Sequence, residues 1–104
     1  MILGLDISTS ITGATLIDTN GNVVVMESID TRKYKNFFEK AEKVKSFLTN
    51  LSKEYKVEEI YVEQSLQSFR SGFSSAKTLS TLSRFNGVVS WMCYSLWNIE
   101  PEYL

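Results

Sequence analysis

The chain has 104 residues, 43% of them hydrophobic and 12% aromatic, which is enough for one domain with its own core and too little for two. Eleven Lys and Arg against twelve Asp and Glu leave a net charge of −1, which excludes charge-driven disorder and the strongly basic field of a DNA-coating protein. With no histidine and a single cysteine, Cys93, the chain also lacks His-based catalysis, thiolate zinc sites and a disulfide framework. Any chemistry must run on carboxylates, hydroxyls, amides and Lys or Arg. No apolar run approaches the ~20 residues of a membrane span, and the first residues lack the basic start of a secretion signal. The expectation is a soluble, cytoplasmic protein with no membrane partner.

Residues 2–7 form a short, nearly continuous apolar run that includes the carboxylate of Asp6, the pattern of a strand buried on both faces. Residues 12–18 are a second β-prone run. Asn20-Gly21 follows it, a hairpin signal because both central turn residues are expected at φ > 0. Residues 23–29 make the third strand, so the first third reads as an antiparallel meander. The period then changes. Phe37, Ala41, Val44, Leu48, Leu51 and Tyr55 share one face of a helix, with Glu39, Lys40, Glu42, Lys43 and Lys45 filling much of the other.

Residues 59–63 form a fourth strand ending in Glu63, and residues 65–72 a polar loop that carries Phe69 and Arg70. A second helix is expected over 74–97. Its first half is small and polar, and its second half is apolar nearly all round, which predicts burial on more than one side. Asn86-Gly87 inside it suggests a bend or a close contact. Trp91, Tyr94 and Trp97 are expected to fill core and a dimer interface, and Cys93 to be inert packing. Residues 99–104 look like the approach to a fifth strand. The order β-β-β-α-β-α-(β) predicts an α/β fold: a mixed sheet, with a three-stranded antiparallel meander plus parallel strands, and helices packed on its faces.

A right-handed crossover through the first helix would set the fourth strand parallel beside the first. Asp6 and Glu63 would then lie side by side at carboxyl ends, where ligands bind in open α/β sheets. Two carboxylates held there repel unless a cation intervenes, which makes them a candidate Mg²⁺ site; the alternative is that they merely end strands in solvent. Arg70, Lys77 and Arg84 could contact phosphates, or simply form a solvated surface.

The segment Ile2-Leu3-Gly4-Leu5-Asp6, followed by Thr12-Gly13, resembles the opening strand of RuvC-type Holliday-junction resolvases. Ile60-Tyr61-Val62-Glu63-Gln64 is similar to that family's second motif, and the helix with Ala76, Leu79 and Asn86-Gly87 to the helix that follows. The resemblance implies an RNase H-like fold, a homodimer on four-way DNA junctions, and Mg²⁺- or Mn²⁺-dependent paired nicking. It makes Asp6 and Glu63 two of four metal-binding and catalytic carboxylates. Thr12, Leu66, Phe69, Arg70, Lys77 and Arg84 become DNA-binding candidates, Phe69 as a stacking aromatic.

The other two carboxylates of the family sit on a later helix. After Glu63 the only acids here are Glu100 and Glu102, so the chain reads as the amino-terminal portion of such an enzyme, expected to cleave poorly alone. Ser8 also stands where the family usually has Gly. Two further readings stay open. An actin-like or sugar-kinase-like ATP phosphotransferase would use Ser8-Thr9-Ser10 on phosphates, though the length argues against it. A non-catalytic nucleic-acid-binding or dimerisation module would keep the fold without the metal.

Overall fold

A computed structural model describes residues 1–63 and 76–104. Strands β1 (Ile2–Asp6), β2 (Ile11–Ile17) and β3 (Val23–Asp30) form the antiparallel meander. Helix α1 (Phe37–Glu54) leads to β4 (Glu59–Glu63), and helix α2 (Ala76–Trp97) to β5 (Glu102–Tyr103). The five strands run in the order β3-β2-β1-β4-β5, with β4 parallel to both β1 and β5. The mixed sheet and the expected fifth strand are both present.

One cluster forms the core. Leu3, Leu5, Ile7, Ala14, Leu16, Ile60 and Val62 supply its sheet side. Ala41, Val44, Leu48 and Leu51 come from α1, and Phe85, Val89, Met92 and Cys93 from α2. Because side chains alternate along a strand, these sheet residues all leave one face. Both helices therefore pack on that face, and against each other. Phe37 meets the fully buried Phe85 edge to face, with ring centroids 5.3 Å apart. On the opposite face Asp6, Glu59 and Glu63 are exposed, as is Met26.

Local chemistry sets the element ends. Asn36 caps α1, its Oδ1 accepting from the amides of Phe38 (2.8 Å) and Glu39 (3.3 Å). Asn98 stops α2 in the left-handed region (φ 57°), its amide donating to the Tyr94 carbonyl at 2.7 Å. The β2–β3 turn differs from the sequence expectation. Only Gly21 has positive φ (84°), and Asp18 organises the turn by accepting from the amides of Asn20 and Asn22, each at 2.9 Å. An aspartate side chain that holds two amides replaces the second left-handed residue a tighter hairpin needs.

Helix α2 also departs from its hydropathy. Trp91 and Tyr94 are 65% and 51% exposed, so the apolar half is buried on one side only. Gly87 is exposed, and a Cβ on it would meet nothing within 4 Å, so no close approach requires glycine there.

Candidate active site

Strand β1 ends on Asp6 and β4 on Glu63, and the two residues are register partners in the parallel pair. Partners on adjacent strands project from the same face, with backbones roughly 4.8 Å apart. The carboxylates thus stand together on the face opposite the helices, exposed at the carboxyl ends of the strands. Neither joins an ion pair among the described residues. On its other side Asp6 pairs with Gly13, where a Cβ would stand 3.8 Å from the Asp6 Cβ. Gly13 leaves that flank open.

This donor set suits a hard cation. Mg²⁺ keeps several waters and is commonly held by one or two carboxylates together with substrate phosphates. Asp6 and Glu63, free of ion pairs among the described residues and with an open flank, fit that demand; Mn²⁺ takes the same oxygen ligands. Among the described residues, no third Asp, Glu, His or Cys joins them. A two-ion site for phosphodiester hydrolysis calls for more acids than that.

Just past Asp6 the chain enters the β1–β2 turn, which borders a cleft of about 420 Å³. Ile7, Ser8, Thr9 and Ser10 face Lys77, Thr81 and Leu82 of α2 across it. The turn is held from behind by residues that the sequence did not single out for this role. The Lys40 ammonium donates to the carbonyls of Thr9 (2.7 Å) and Thr31 (3.2 Å), and the buried Thr31 hydroxyl donates to those of Thr9 and Ser10. Thr12, expected among the DNA contacts, is instead 1% exposed. Its hydroxyl donates to the Ser8 carbonyl at 3.0 Å and accepts from the Ser8 amide, so it shapes the turn from inside.

The other expected DNA contacts separate. Lys77 lines the cleft. Arg84 lies over the Phe37 ring and donates to the Thr81 hydroxyl at 3.3 Å, at the edge of a second, apolar groove. Leu66, Phe69 and Arg70 lie outside the described residues. The groove, about 670 Å³, is bordered by Phe37, Phe38, Val88 and Trp91, with Phe38 71% exposed. Trp97 packs against the core and its indole N–H donates to the Tyr55 carbonyl at 3.4 Å. Cys93 is fully buried, and desolvation pushes its thiol up to about 12, in line with inert packing.

No protein-family model and no curated protein matches this sequence. Solved structures do. Thermus thermophilus RuvC in complex with a Holliday junction substrate superposes with a TM-score of 0.80 at 10% identity, over 99% of this chain. The fold is that of RuvC, an RNase H-like fold. A second Thermus thermophilus RuvC structure matches with a TM-score of 0.72 at 11% identity, again over 99% of this chain. The chain spans 62% of the length of each RuvC chain. At this identity the likeness to RuvC is one of backbone course, and the roles of side chains rest on the geometry above. Among the described residues, no helix is long and apolar enough to cross a membrane.

Proposed function

We propose that this chain is the part, bearing Asp6 and Glu63, of a divalent-metal-dependent and structure-selective endonuclease for branched DNA, four-way junctions above all. In this reading it works as a homodimer in the cytoplasm. The observation that carries the proposal is the register pairing of Asp6 with Glu63 at the carboxyl ends of adjacent parallel strands. The RuvC fold supports a nuclease, and the junction bound by one similar RuvC structure supports branched DNA as the substrate class. That likeness does not favour the ATP phosphotransferase reading.

Asp6 and Glu63 would hold Mg²⁺ or Mn²⁺. When bound, the ion supplies Lewis acidity and positive charge for phosphodiester hydrolysis. The protein's own part is to fix the two carboxylates by strand register and to keep the Gly13 flank free for the substrate. Lys77 adds a cation at the same end of the sheet. Further carboxylates come, in this reading, from residues outside 1–104, so the chain alone binds its substrate but cleaves it poorly. The exposed Phe38, Trp91 and Tyr94 support pairing of two copies through the α1–α2 side.

The test is a gel shift with a labelled four-way junction and a linear duplex of the same sequence, with nicking followed in Mg²⁺. Preference for the junction with slow nicking is expected, and Asp6→Asn should remove the residual nicking. Equal affinity for junction and duplex would contradict the substrate class. Fast nicking by residues 1–104 would contradict the need for further acids.

A further inference from the structure

Three of the four carbonyls of the β1–β2 turn, those of Ser8, Thr9 and Ser10, are occupied by donors from the protein. The Ser8 carbonyl accepts from Thr12, that of Thr9 from Lys40 and Thr31, and that of Ser10 from both the amide (2.8 Å) and the hydroxyl of Thr31. The amide of Ser10 is used as well, donating to the Ser8 Oγ at 3.1 Å, which leaves the Ser8 hydroxyl its proton to give. These three carbonyls are thus engaged, while the hydroxyls of Ser8 and Ser10 can donate at the cleft. Opposite them stands Lys77, exposed and without an ion pair among the described residues. The cleft contains no carboxylate among its described lining, because Asp6 projects from the other sheet face. A cavity that presents hydroxyl donors and a cation, with three neighbouring carbonyls tied off, suits an anion with several acceptor oxygens.

We propose that this cleft is a phosphate subsite, with the hydroxyls of Ser8 and Ser10 and the Lys77 ammonium as its ligands and Lys40 as the residue that positions the turn. The assignment of phosphate stands on the hydrogen bonds just described. Its source, a backbone phosphate of a DNA strand that continues over the sheet end to Asp6 and Glu63, rests on the nuclease reading. Lys40 acts at one remove: its ammonium holds the Thr9 and Thr31 carbonyls together, which keeps Thr9 and Ser10 from turning acceptors toward the anion.

The test is an amide NMR titration of the full ¹⁵N-labelled chain with three probes: a four-way junction, ATP and inorganic phosphate. Saturable shifts at Ser8, Thr9, Ser10 and Lys77 with the junction but not with ATP are expected. Lys77→Met should weaken junction binding about tenfold, the size of one charge-assisted contact. Lys40→Met should weaken it comparably, with Lys40→Arg restoring affinity, a rescue that a merely space-filling role would not show. If Lys40→Met does not fold, the exposed Lys77 still decides the matter. Saturable shifts of the same amides with ATP would keep the phosphate subsite and assign it to a nucleotide, overturning the strand as its source. Junction binding that leaves these amides unmoved would overturn the subsite and spare the nuclease reading. No response to any probe would overturn both.

Discussion

Asp6 faces bare backbone on its β2 side: its register partner there is Gly13, and a Cβ on Gly13 would sit 3.8 Å from the Asp6 Cβ. That distance is ordinary contact, so Gly13→Ala should fold normally. Gly13→Val reaches further, into the flank that the proposed ion and phosphate use. Its Mn²⁺ affinity by calorimetry should fall about fivefold, or roughly 1 kcal/mol, with the melting temperature kept by the β-favourable side chain. Unchanged Mn²⁺ affinity would move the ion away from that flank.

Phe85 is the hinge of the core, fully buried and in edge-to-face contact with Phe37. Phe85→Ala should cost about 3–5 kcal/mol in a urea melt, because it removes a large apolar surface and leaves a cavity between the two helices. A loss below about 1 kcal/mol would mean that α1 and α2 collapse onto each other without it.

Gly87 carries the opposite expectation. It sits exposed within α2 with open space around its Cα, so it gives up helix propensity with no steric return. Gly87→Ala should stabilise the chain by about 1 kcal/mol and raise the midpoint of thermal melting by roughly 4–8 °C. No gain, measured at a protein concentration where the chain is monomeric, would point to a hidden demand on the backbone.

Cys93 makes stability depend on pH in the alkaline range. Burial raises its thiol from 9.0 to about 12, so above about pH 9 the unfolded chain loses a proton that the folded chain keeps. The stability contributed by the neutral thiol is therefore intact below about pH 9 and is lost on the way to about pH 12. Between about pH 8 and pH 10.5, the unfolding free energy of the unsubstituted chain should fall more steeply than that of Cys93→Ala. Parallel curves would show that the thiol is reachable by water in the native fold.

Trp91 tests the proposed pairing of two copies. It is 65% exposed beside the groove bordered by Phe38 and Val88. Trp91→Glu sets a charge on that surface, and sedimentation velocity should show the dimer replaced by monomer, with the secondary structure kept by circular dichroism. A dimer that survives the substitution would have to form elsewhere.

The sheet was legible because its signals are local. Short apolar runs ending at Asp6 and Glu63, a helix period between them and the crossover rule together placed β4 beside β1. What eluded the sequence depends on neighbours distant in the chain. Lys40 falls on the charged side of its helix by period, and only the position of the β1–β2 turn and of Thr31 turns its ammonium into a clamp. Thr12 reads as an accessible hydroxyl because nothing in its own segment says that its side of β2 is covered by helices. Hydropathy likewise marks Trp91 and Trp97 as equals, though one faces water and the other the Tyr55 carbonyl. In the β2–β3 turn, Asp18 competes for the amides that an Asn-Gly pair alone would have left to water.

The unequal surroundings of those two tryptophans have a practical consequence. Trp91 is solvated, while Trp97 leans on the core with its N–H already bonded. The unlabelled chain therefore carries its own optical reporter. Iodide should quench one indole much faster than the other, and whatever settles on the outer side of α2 should shift the emission of Trp91 toward the blue without any dye being attached.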